Sequence, residues 1–254
     1  PMACNFTNKL ANEKVVNMAI IAGYFQFNDS DKTDFKYINQ LANVFSNYEE
    51  KHVRFFNCEY GAIFQYDFDA YQQASWLRTE SQIATLIGHP LISSSRTQDL
   101  ITLAGCESLD FSLQQCEGVF SFCQFDLQSQ RLTLATDPLG LKPFYTLQTQ
   151  YGLLFSTNLN LFKQLDIQLQ NNPDALTELA VLGYPLLDHT PFKDVKCSYP
   201  SEMLCFNAKQ GVTRKRYFDW VSLAKQKLVA PDAIEGISKA FKTLVAKAKH
   251  KDKT

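Results

Sequence analysis

Apolar positions along this chain fall into short runs with strand character and longer stretches with helical spacing. Residues 17–27, NMAIIAGYFQF, are almost continuously apolar and predict a buried strand. Residues 31–51 carry Phe35, Ile38, Leu41, Ala42, Phe45 and Tyr48 at helical spacing, behind Asp31 and Thr33 as candidate caps. HVRFFNCEYGAIFQYDF and QIATLIGHPLI are apolar runs rich in β-branched and aromatic residues, so they predict strands. TQDLITLAG predicts a short helix.

The pattern is sharpest in the second half. GVFSFCQFD, RLTLATD, FYTLQ and LLFSTN predict four short strands, joined by LQSQ, PLGLKP and TQYG. Connections this short are expected to link antiparallel neighbours. NPDALTELAVLG predicts a helix with Pro173 at its start and Gly183 at its end. EMLCFNAKQGVTRKRYF predicts a hairpin turning at Lys209–Gly211. The segment from Ala230 onward predicts an amphipathic helix with Ile234, Ile237, Phe241, Leu244 and Val245 on one face, opened by Pro231 and Asp232 and closed by lysines. Helices at the start, middle and end among one-faced strands imply helices layered over stacked antiparallel sheets.

Composition narrows the classes. The 254 residues are 45% hydrophobic and 20% charged, as in an ordinary globular protein. A formal net charge of −1 gives no electrostatic reason to expect nucleic acid or an acidic membrane surface. No apolar run approaches the roughly 20 residues of a membrane span, and the start has no secretory pattern, so a cytoplasmic location is expected. Pro1 before Met2 reads as an expression scar. The seven cysteines form no CxxC pair, and the four histidines are scattered singly, so reduced core thiols and no metal site are expected.

The stretch 116–162, CEGVFSFCQFDLQSQRLTLATDPLGLKPFYTLQTQYGLLFSTNLNLF, resembles a segment of asparagine synthetases. There a Gly-Met-Phe-Ala-Phe strand leads through Arg-Asp-x-x-Gly-x-x-Pro-Leu-Tyr to an Ala-Ser-Glu strand. Residues 171–220 continue the likeness with a helix, a Gly-Tyr pair, Thr-x-Phe-x-x-Val before a Pro-bearing turn, and a closing Arg-Tyr-Phe-Asp-Trp. The likeness runs over roughly 105 residues and is faint before residue 110. It implies an N-terminal class II glutamine amidotransferase domain, a four-layer αββα sandwich of the N-terminal-nucleophile hydrolase type. On that basis residues 1–16 are an extension, 17–220 the amidotransferase-like domain, and 221–254 a helix leading toward an ATP-dependent synthetase domain that this sequence lacks. The resemblance also assigns a structural loop to Asp137, Gly140 and Pro143: hydrogen bonds around a turn, conformational freedom, and a fixed entry to the next strand.

Class II glutaminases attack glutamine with an N-terminal cysteine whose own α-amine serves as base. That amine has a reference pKa of about 7.7–8.0 and can take the thiol proton near neutrality, as a backbone amide cannot. The family's Cys-Gly-Ile-Phe is matched by Ala22-Gly23-Tyr24-Phe25, which places a vacated nucleophile at Ala22, behind 21 residues. The Asn-Gly pair of the oxyanion hole maps to Ile87-Gly88, and an Ile side chain donates no hydrogen bond. The Arg-Gly-Pro-Asp segment that holds the glutamine carboxylate has no counterpart between residues 40 and 80, and Thr136 replaces the usual Arg before Asp137. His89 falls beside the vacated oxyanion position, where a satisfied loop histidine is the plainer reading. Cys4, followed by Asn5-Phe6-Thr7 rather than a glycine and a strand, reads as incidental. Arg214-Lys215-Arg216 reads as a solvated hairpin edge.

Cysteine-free members of the superfamily include β-lactam-forming synthetases and lasso-peptide cyclases, and the Ala-Thr-Asp before the loop is similar to the former. The resemblance therefore implies a silent amidotransferase-like domain or subunit, working as scaffold for a synthetase partner in cis or in trans. ATP and magnesium are expected only in that partner, and homo-oligomerisation is left open. Two alternatives stand beside it: a glutaminase activated by N-terminal processing, and a stand-alone peptide- or protein-binding module.

Overall fold

A computed structural model describes residues 19–26, 35–207, 211–223 and 230–248. The expected extension 1–16, Cys4, the candidate caps Asp31 and Thr33, and the turn residue Lys209 lie outside the described residues. The elements in chain order are β1 (Ile20–Gln26), α1 (Phe35–Phe45), β2 (Val53–Cys58), β3 (Gly61–Tyr66), β4 (Trp76–Arg78), β5 (Gln82–Gly88), α2 (Arg96–Gly105), α3 (Leu109–Gln114), β6 (Phe120–Asp126), β7 (Arg131–Thr136), β8 (Tyr145–Gln148), β9 (Gly152–Ser156), α4 (Pro173–Leu182), β10 (Val195–Cys197), β11 (Glu202–Asn207), β12 (Gly211–Arg216), α5 (Trp220–Leu223) and α6 (Ala230–Ala248).

The strands form two six-stranded sheets, β10-β8-β9-β1-β3-β2 and β12-β11-β7-β6-β5-β4. Every pairing in them is antiparallel. Burial on both faces explains why the strands read as continuous apolar runs rather than alternating ones. In β1, Ile20, Ala22 and Tyr24 turn to α1, where they meet Ile38, Leu41, Val44 and Phe45. Ile21 and Phe25 turn the other way and pack between the sheets with Ile63, Ile87, Phe125, Leu134 and Phe155. The rings of Phe25 and Phe125, one from each sheet, have centroids 4.4 Å apart. On the far side, Ala84 and Leu86 of β5 pack with Leu100, Leu103 and Leu113 of α2 and α3. The result is an α+β sandwich of four layers, αββα.

Two expectations are corrected. The loop 138–143 does not join antiparallel neighbours: β7 belongs to the second sheet and β8 to the first, so the loop carries the chain across the sandwich. HVRFFNCEYGAIFQYDF is two strands, β2 and β3, paired through Cys58 and Gly61. The amphipathic helix expected at the end is α6, and its apolar stripe is open to solvent, with Ile234, Ile237 and Phe241 each about two-thirds exposed or more (71%, 69% and 67%). The short α3 had no periodic signal to announce it. α4 follows the pattern read from the sequence: the Asn172 side chain accepts from the Ala175 N–H, Pro173 begins the helix and Gly183 ends it.

Candidate functional site

Ala22 and Ile87, the positions assigned to nucleophile and oxyanion donor, lie in different layers. Ala22 is the third residue of β1, flanked by Phe64 and Ser156 in the neighbouring strands, and faces α1 rather than the space between the sheets. Ile87 faces that inter-sheet space and is 2% exposed. The β1 residues that share its layer are Ile21 and Phe25, with Ala19 packed against the same cluster just before the strand begins. Strand alternation thus turns the Ala22 side chain toward α1 and away from the space between the sheets. Gly23 shares the inter-sheet face, where the Ala62 carbonyl and the Phe155 ring would each come within 2.4 Å of an added Cβ. Beyond Ile87, Gly88 takes φ +75°, and its added Cβ would meet the Val119 carbonyl at 2.1 Å.

His89 is buried and its Nε2 lies 3.1 Å from Asp99 Oδ2. Asp99 also accepts from the backbone N–H groups of Ile92 and Ser93 and from the Ser93 hydroxyl, so it gathers the loop before α2. The Tyr71 ring stands edge-on to His89 and under the guanidinium of Arg96, 4.8 Å from the ring centre. Arg96 is wholly buried, donating to Asp67 and to the Leu86 carbonyl at 2.9 Å each. This buried network of Asp67, Tyr71, His89, Arg96 and Asp99 escaped the reading of the sequence. The Ser95 side chain caps α2 by accepting from the Gln98 N–H.

The Asp137 loop is built around one carboxylate. Oδ1 accepts from the N–H groups of Leu139 and Leu141, and Oδ2 from that of Lys142 at 2.9 Å. Gly140 has φ +68°, with Pro200 packed where a side chain would go. Pro143 precedes Phe144, whose N–H donates to the Ser198 hydroxyl, and that hydroxyl lies 2.7 Å from the hydroxyl of Thr136. Tyr217 donates to the Thr136 carbonyl at 2.6 Å; burial, helped by Cys116 and Asp137, pushes its phenol pKa up and keeps it a donor. Asp137, Gly140 and Pro143 therefore fasten the crossover between the sheets.

A sequence model described as a glutamine amidotransferase domain matches residues 77–218, more than half of the chain. The chain belongs to this family. The match takes in Ile87, Gly88, His89, Asp137, Gly140 and Pro143, and begins after Ala22 and Gly23. Two solved structures resemble this amidotransferase domain. One is titled the allosteric regulatory enzyme of purine biosynthesis: TM-score 0.47, 15% identity, covering 79% of this chain and 49% of the other. The second is glutamine phosphoribosylpyrophosphate amidotransferase from B. subtilis complexed with ADP and GMP: TM-score 0.43, 14% identity, covering 79% and 49%. The chain thus spans about half the length of these structures. No curated protein matches it in sequence.

A nucleophilic sulfur must be a thiolate. In the amidotransferase domain, burial raises the pKa of Cys58, Cys116 and Cys123, and pushes that of Cys197 up to about 11 with Glu202 and Asp188 adding to the effect. These four thiols stay protonated near neutral pH. Among the described residues no group of three or more metal-ligating side chains comes together, and no helix is long and apolar enough to cross a membrane.

Proposed function

We propose that the chain is a catalytically silent glutamine amidotransferase-like domain. In this reading it is the scaffold for a synthetase partner, in cis or in trans, within an ATP-dependent amide-bond-forming enzyme of the asparagine synthetase kind. Ile87 carries the reading. It occupies the position that the resemblance gives to an oxyanion donor, yet it is aliphatic and packed between the sheets. Removing one such donor lowers turnover by about 10²–10³ in enzymes that use it. Ala19 and Ile21, the first described residues turned to the same layer, bring neither thiol nor base.

The Asp137 loop supports the other half of the proposal, because it keeps a full set of bonds while the reacting positions are apolar. A scaffold also needs a surface to offer. α4 and the segment after it leave Leu179, Val181, Leu182, Tyr184 and Leu187 exposed, a run rarely left open on a monomer. ATP and magnesium belong to the partner, and no residue here is assigned to them. Incubating the chain with glutamine and following glutamate release tests the proposal. No release above the buffer blank is expected, and sustained release abolished by a thiol alkylator overturns it.

A further inference from the structure

The stripe of α6 has a regularity beyond being apolar. Ile234, Ile237, Phe241 and Leu244 follow one another at steps of three, four and three residues, and Ala230 and Ala248 extend the series by four at either end. Apolar residues repeating in this way form the seam of a two-helix coiled coil. From 233 to 246 every residue except Ala233 and Leu244 is exposed, so no described part of this chain covers the seam.

The series reads the same in both directions. A second α6 laid antiparallel, with the crossing centred on residue 239, sets Ile234 against Leu244, Ile237 against Phe241 and Ala230 against Ala248 of the second copy. Large thus meets large along the seam, and small meets small at its ends. Charge divides about the same centre. Asp232 and Glu235 are the charged residues of the first half of the helix, and Lys239, Lys242 and Lys247 those of the second. Antiparallel pairing brings the acidic half of each helix to the basic half of the other and opposes the two macrodipoles; parallel pairing sets like against like. The folded body precedes α6 in the chain, so antiparallel helices, each about 28 Å long, hold the two bodies at opposite ends.

We infer that α6 pairs antiparallel with α6 of a second copy of this chain, as a two-fold symmetric dimer. An anionic lipid surface would attract the basic half of the helix and repel the acidic half, whereas a second copy satisfies both. A contact of one helix on one helix falls below the roughly 1,200 Å² of a standard stable interface, so a reversible dimer with a Kd of about 10–100 µM is expected. The inference goes beyond the scaffold reading: glutamate release bears on the cleft and not on this pairing.

Sedimentation equilibrium of the whole chain from about 1 to 300 µM tests it. Wild type is expected to show a monomer–dimer equilibrium, weakened at least about tenfold by Phe241→Asp and unchanged by Val181→Asp on the apolar surface around α4. Phe241 is exposed, so its replacement spares the folded body. Ser238 flanks the seam beside the two-fold axis, where it faces its own counterpart only if the helices run antiparallel; in a parallel pair the two lie on opposite sides of the coil. Ser238→Cys is therefore expected to give a disulfide-linked dimer on mild oxidation, and wild type none. A monomer throughout the range, a dimer undiminished by Phe241→Asp or lost in Val181→Asp, or a dimer that Ser238→Cys does not cross-link overturns the inference. So does a chain that stays monomeric and floats with phosphatidylglycerol vesicles, which would assign the stripe to lipid.

Discussion

The guanidinium of Arg96, at the start of α2, lies 2.9 Å from the carboxylate of Asp67, on the segment that leaves β3. This pair links the chain after the first sheet to the helix layer on the second, and Arg96 also donates to the Leu86 carbonyl of β5. Removing the acid alone would strand a buried charge. Asp67→Ala is expected to lower unfolding free energy by about 3–5 kcal/mol, and the double variant Asp67→Leu/Arg96→Met by clearly less. Denaturant unfolding of both checks this; equal losses would mean that the charge pair is not what matters.

The buried Asp137 carboxylate serves three backbone N–H groups of a loop whose Leu139 and Leu141 side chains are exposed. Asp137→Ala leaves all three without their acceptor, for an expected loss of about 3 kcal/mol, whereas Asp137→Asn keeps one oxygen and loses about half as much. The ordering Ala below Asn below wild type in thermal unfolding is the outcome to look for.

Glu202 is buried in β11, and burial raises its carboxyl pKa despite the Tyr199 N–H and Arg214 and Arg216 nearby. A raised folded-state pKa favours the protonated form, so its contribution to stability is present below the unfolded glutamate value. That contribution is lost as pH rises through the higher folded value. Wild type should therefore lose stability relative to Glu202→Gln as pH rises across this window. Parallel stability curves for the two proteins would contradict it.

Val181 and Leu187 are 75% and 74% exposed on the apolar surface around α4. Val181→Asp and Leu187→Asp are expected to change the stability of the isolated chain by no more than about 0.5 kcal/mol. A larger loss would show that the surface is already covered by this chain.

Much of the sandwich was legible because its signals are local. Pro173 and Gly183 bracket α4, and the runs at β6, β7, β8 and β9 were each visible as apolar segments between turns. What those runs could not reveal was partnership: the short loop between β7 and β8 reads the same whether it turns a hairpin or crosses to another sheet. The buried network around Arg96 was hidden for a related reason. Asp67, Tyr71, His89 and Arg96 come from separate segments, and a buried arginine leaves no periodic trace. An apolar run buried on both faces does not say which side chains turn which way; the packing of Ala22 with α1 and of Ile21 between the sheets does.

The most direct measurement is glutamate release from glutamine by the purified chain, with and without iodoacetamide. With Ala19, Ile21 and Ile87 in the cleft layer, no release above the buffer blank is expected in either sample. Continued glutamate production that stops on alkylation would contradict the proposal of a silent domain.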